Sequence, residues 1–166
     1  MLLGVGNRLG RDDGAGPELA VHLADSEWIA VDCGTSLENV AGIVCREDPD
    51  LLVIADAARM GLAPGSVRRL PRRAAADSML GSTHGLPMSF FLDRLAELAA
   101  ETVLLGIEPE DLAWGEGLTP TVAAAIRSLA ERLTDETGGV ASVEWLAGEP
   151  PADGSSRPVE GAPPSR

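Results

Sequence analysis

Asp12, Asp13, Asp32, Asp56 and His84 have the chemistry to hold a divalent transition metal or to move a proton. Two carboxylates and an imidazole form a hard-to-borderline O/O/N set that leaves coordination positions open for substrate or water. Such residues can act together only if the fold gathers them. Asp12 and Asp13 sit in a glycine-bearing loop behind the short apolar run Leu2–Val5. Asp32 follows the strand-like stretch Trp28–Val31, Asp56 closes the run Leu51-Leu52-Val53-Ile54, and His84 lies in the long connection ahead of a helix. In an open parallel sheet, ligands bind beyond the carboxyl ends of the strands, so these positions would share one edge. Each also has a plain structural alternative. Asp13 can cap the first helix, Asp56 can satisfy backbone donors, and His84 can be an ordinary loop histidine.

The elements that would do the gathering alternate between strand and helix. Pro17 to Ala24 reads as a helix with Pro17 in its first turn. Leu37, Val40, Ala41 and Val44 are spaced for a helix over Leu37 to Arg46. The unbroken apolar run before Asp56 suits a strand buried on both faces of a parallel sheet. After the Pro64-Gly65 turn signal, Ser66–Leu70 is expected as an edge strand. Met88, Phe91, Leu92, Leu95 and Leu98 mark an amphipathic helix, and Thr102–Ile107 is another apolar strand. Thr119-Pro120 is a helix start, with Val122, Ile126, Leu129 and Leu133 as its buried stripe. This order predicts an α/β fold, a three-layer α/β/α sandwich around a mostly parallel sheet, over residues 1–147. Pro, Gly and Ser dominate residues 148–166, which are expected to be a disordered tail.

Composition removes several function classes. The 166 residues, 45% of them hydrophobic, suffice for one domain with a sizeable core. The net charge of −13, with every positive charge an Arg, argues against a nucleic-acid binder. The cluster Arg68-Arg69-Leu70-Pro71-Arg72-Arg73 reads as an exposed turn or strand edge where charge discourages pairing. No apolar run is long enough to span a membrane, and the N-terminal segment lacks a signal peptide's basic and apolar regions, so the expected location is the cytoplasm. Cys33 and Cys45 are not spaced for a zinc knuckle or a thioredoxin motif and are expected to be inert, half-buried thiols. Gly4-Val5-Gly6 invites a dinucleotide reading, but Leu9 stands where the third glycine belongs, and a chain without Lys has no Walker lysine. There is no Gly-x-Ser-x-Gly and no His-Glu-x-x-His, and His22 is expected on a helix face without a partner in register.

Taken in order, several blocks resemble the hydrogenase-maturation peptidases. They begin with Gly4-Val5-Gly6-Asn7-Arg8-Leu9-Gly10-Arg11-Asp12-Asp13-Gly14-Ala15-Gly16, then Asp32-Cys33-Gly34-Thr35 and Leu52-Val53-Ile54-Ala55-Asp56-Ala57. Met60-Gly61-Leu62-Ala63-Pro64-Gly65, Ser82-Thr83-His84-Gly85-Leu86-Pro87, Leu104-Leu105-Gly106-Ile107-Glu108-Pro109 and Gly117-Leu118-Thr119-Pro120-Thr121-Val122 continue it. The wording around Met60 and His84 resembles the branch serving energy-conserving and cofactor-reducing hydrogenases.

The resemblance implies an endopeptidase that removes the C-terminal extension of a nickel-loaded hydrogenase large-subunit precursor. It implies that an acid after the first strand, an Asp ending a later strand and a loop His contact the nickel. Motif by motif these are Asp13, Asp56 and His84, each among the residues that strand-end placement also selects. The metal would be borne by the substrate, with no resident cofactor. The partner would be the large-subunit precursor, with no nucleic acid or membrane involved, and a monomer is the default. Two other readings stay open. One is a resident-metal hydrolase acting on another amide or peptide; the other is a non-catalytic docking protein that senses nickel.

Overall fold

The computed structural model describes residues 1–71, 88–135 and 139–146; His84 and the predicted tail lie outside them. Strands β1 (Leu2–Val5), β2 (Ala30–Gly34), β3 (Leu51–Ala57), β4 (Val67–Leu70) and β5 (Glu101–Ile107) form one sheet in the order β2-β1-β3-β5-β4. All neighbours pair in parallel except β4, which runs antiparallel along β5 at the edge. Helices α1 (Ala15–His22), α2 (Ala41–Glu47), α3 (Met88–Ala96) and α4 (Pro120–Thr134) cover its two faces.

Alternation along the strands sorts the core into two layers. Leu2, Val53, Val103 and Leu105 pack with Leu19 of α1 and with Val122, Ile126, Leu129 and Leu133 of α4. Leu3, Val5, Leu52, Ile54 and Leu104 pack on the other face, against Val40, Val44 of α2 and Leu92, Leu95 of α3. The chain therefore leaves β1 for one face, through α1, and reaches β3 from the other, through α2. Adjacent β1 and β3 thus flank a topological switch point, where a cleft opens beyond their carboxyl ends.

Several boundaries differ from the sequence expectation. Helix α1 begins at Ala15 and is entered through a 3-10 turn, Arg11–Gly14. Strand β2 starts later than Trp28–Val31 and includes Asp32 and Cys33, because Leu2 N–H takes the carbonyl of Ile29 and pairing starts at Ala30. The helix expected over Leu37 to Arg46 is split into a 3-10 turn, Leu37–Asn39, and α2. The edge of β4 is covered as well as charged. Arg69 N–H donates to the Glu144 carbonyl at 2.8 Å, Leu146 N–H donates to the Arg69 carbonyl at 2.9 Å, and the Arg69 guanidinium lies 4.8 Å from the Trp145 ring centre. Residues 144–146 thus meet this edge through one isolated β-bridge, so charge is not its sole protection.

Candidate active site

The loop after β1 is shaped by what glycine permits. Gly6 has φ of 137°, and a Cβ there would strike the Asp13 carbonyl; a Cβ on Gly16 would strike the carbonyls of Val5 and Ala55. The Arg11–Gly14 turn and α1 are thereby drawn down onto β1 and β3.

Asp12 and Asp13 leave the same turn with different environments. Asp12 is fully buried. Its Oδ2 accepts N–H bonds from Glu110 and Asp111, both at 2.9 Å, and its Oδ1 accepts the Thr119 N–H at 2.7 Å. The Thr119 hydroxyl adds contacts at 3.0 and 3.1 Å, while Thr119 caps α4 as expected. Asp12 therefore joins the first loop to the loop after β5 and to the start of α4.

Asp13 is only partly buried, and its Oδ2 accepts one bond, from the Asn7 N–H at 3.1 Å. Its Oδ1 is shielded from solvent yet accepts no hydrogen bond among the described residues. Burial pushes its carboxyl above the ordinary value of 3.8, and the Asn7 N–H pulls it only partly back. Helix α1 is capped at Gly14 without a side-chain bond, so Asp13 is not the helix cap that one reading allowed. Asp13 instead lines a cavity of about 280 Å³ with Asn7, Gly10, Leu112 and Trp114.

Asp56 is fully buried at the penultimate position of β3. Alternation turns it toward the face that Leu52 and Ile54 share, the face covered by α2 and α3. Since the Arg11–Gly14 turn packs against β3, Asp13 and Asp56 belong to the same switch point. His84 lies outside the described residues, among which no three His, Cys, Asp or Glu side chains group as a metal site.

Other strand-end residues hold the frame. Asp32 pairs with Arg8 at 3.1 Å, and Arg8 also reaches Glu18 at 2.9 Å and the Pro17 carbonyl at 2.9 Å, tying the first loop to β2 and α1. Glu108, which the sequence reading did not single out, accepts the N–H groups of Met60 and Leu62 at 2.7 and 3.1 Å. It thereby fixes the loop that follows Asp56; an acid set directly between the apolar run Thr102–Ile107 and Pro109 was the available signal. His22 Nε2 lies 3.9 Å from Glu18 Oε1 one turn earlier, an ion pair only when the imidazole carries a proton. Cys33 is half-buried, its thiol pushed up to about 12 by burial and by Asp32, whereas Cys45 is exposed rather than half-buried.

A family model described as hydrogenase maturation protease matches residues 16–136. The Hydrogenase 3 maturation protease of Escherichia coli (strain K12) is 33% identical over 148 residues, covering 86% of this chain and 95% of the relative. The chain belongs to the hydrogenase maturation protease family. It is a hydrolase that acts as a protease. The fold agrees. The solution structure of the endopeptidase HycI from Escherichia coli superposes with a TM-score of 0.77 at 33% identity, over 91% of this chain and 98% of that one. A NiFe hydrogenase maturation protease HycI from Thermococcus kodakarensis gives 0.66 at 28% identity, over 80% and 88%. Membership in the family accounts for the order of the blocks running from Gly4 to Val122.

Proposed function

We propose that this member cuts the C-terminal extension from a nickel-loaded hydrogenase large-subunit precursor, with Asp13, Asp56 and His84 contacting the nickel that the substrate carries. The observation that supports this most is Asp13. It is a partly buried carboxylate at the switch point that Asp56 also faces, with one oxygen left without a hydrogen-bond donor among the described residues. An unsatisfied buried oxygen costs stability, and a cation delivered by the substrate would repay it. His84 fits by connectivity. It lies just ahead of α3, which covers the face to which Asp56 turns. The other end of α3 leads to Glu101, whose N–H bonds Asp50 at the amino end of β3, so α3 begins near the carboxyl edge of the sheet.

The substrate's nickel would polarise the scissile carbonyl or a water and lower the barrier to hydrolysis. Asp13, Asp56 and His84 hold it in register with the bond, and one of them takes the proton from the attacking water. The protein carries no resident cofactor, works in the cytoplasm and acts as a monomer; no helix among the described residues is long and apolar enough to cross a membrane. Asp56→Asn and His84→Ala are expected to abolish processing, read as intact precursor mass, while circular dichroism stays that of the wild type. Normal processing by either variant would overturn the assignment.

A further inference from the structure

Trp114 is 79% exposed on a loop that has no freedom to hide it. The backbone on either side is pinned. Glu110 and Asp111 donate to Asp12, Ala113 N–H donates to Asp111 Oδ1 at 2.8 Å, Gly115 N–H donates to the Leu9 carbonyl at 2.8 Å, and Arg11 N–H donates to the Gly115 carbonyl at 3.0 Å. Leu9, 40% exposed, is held beside Trp114 by this Gly10–Gly115 bridge. A lone exposed apolar residue is ordinary. Here the exposed Trp114 lines, together with Leu112, the same cavity as Asp13.

We infer that Trp114, with Leu112, is the subsite that receives an apolar side chain of the large-subunit precursor next to the scissile bond. This rests on the function proposed above, because Trp114 and Leu112 line the same cavity as Asp13. The other two Trp residues are already engaged: Trp28 donates to the Leu133 carbonyl at 3.1 Å and Trp145 stacks on Arg69. A rigid aromatic on a pinned backbone loses little entropy when it is covered, the property that makes Trp a frequent energetic centre of interfaces. The acceptor set confers a further advantage. Asp12 fixes the Trp114 loop while its neighbour Asp13 faces the substrate, so one turn sets the distance between the apolar subsite and the reacting site.

The test uses the full chain and a nickel-loaded precursor from the same source. Trp114→Ala should raise KM about tenfold or more with kcat within about twofold, and Trp114→Phe should recover most of the loss. In parallel, the protein labelled with 5-fluorotryptophan is titrated with unlabelled precursor. The fluorine resonance of Trp114, assigned from Trp114→Phe, should shift or broaden while those of Trp28 and Trp145 stay in place. An unmoved Trp114 resonance at saturating precursor, or an unchanged KM for Trp114→Ala, would overturn the subsite. A shifted resonance without cleavage by the wild type would uphold the subsite and count against the proposed function.

Discussion

Asp12 and Asp13 are neighbours on one turn, and the protein treats them as opposites. Asp12 is surrounded by donors from the Glu110–Asp111 loop and from Thr119, about as well paired as a buried carboxylate can be. Asp13 is partly desolvated, receives one N–H, and keeps an oxygen without a donor among the described residues. Satisfied buried acids hold structure together, whereas under-satisfied ones are where a fold stores the capacity to bind. The two carboxylates should therefore separate stability from activity.

The largest expected effect is on catalysis. Asp13→Asn should lower the rate of precursor cleavage by about a thousandfold or more, because it removes a charged contact to the metal or the base itself. Its thermal midpoint should equal or exceed that of the wild type. The sign follows from the raised carboxyl. The folded state binds the Asp13 proton more readily than the unfolded one, so this group opposes folding once pH rises from 3.8 through the raised value. The gain from Asn should thus be present at neutral pH and vanish below 3.8, which urea unfolding at pH 7 and pH 3 would check. Next in size, Asp12→Ala should cost about 3 kcal/mol of stability by leaving three part-buried N–H groups without their acceptor, and should raise KM through the loosened Trp114 loop while kcat per folded molecule stays near that of the wild type. An Asp12→Ala protein as stable as the wild type, or an Asp13→Asn protein that unfolds more easily, would erase the distinction.

How much of this was legible in the sequence depends on the range of the interaction. The strand at Leu51–Ala57, the edge strand at Val67–Leu70 and the Thr119-Pro120 start of α4 were visible because each rests on a local pattern of apolar run, turn or cap. The early start of α1 was not, since a glycine-rich entry hides the 3-10 turn that leads into it. Strand β2 slipped toward Gly34 because its pairing with β1, not its own residues, decides where it begins. At the site, Asp12 and Asp13 were both visible behind the first strand, and the motif resemblance, not their spacing, singled out Asp13. What distinguishes them is Thr119, far along the chain, and the loop at Glu110, and no spacing rule reports such a contact.

Smaller effects sharpen the comparison. Thr119→Val removes the hydroxyl from Asp12 and the cap from α4, and should cost about 1–2 kcal/mol by denaturant unfolding with kcat unchanged. The pH profile of kcat/KM should fall on the acid side with an apparent pKa above 3.8, as Asp13 takes up its proton and loses its charge. An acid limb lying below 3.8 would mean that Asp13 is not the group being titrated. Smallest of all, Cys45→Ser should change neither stability nor cleavage measurably, because the exposed thiol touches nothing at the switch point.

The most direct measurement offers the purified protein the nickel-loaded precursor and, separately, the nickel-free form of the same precursor, and follows both by intact mass. Loss of a C-terminal peptide from the loaded form alone is the expected result, since Asp13, Asp56 and His84 are proposed to grip a metal that only that form carries. Equal cleavage of both forms would contradict it, because the site would then be recognising peptide without nickel.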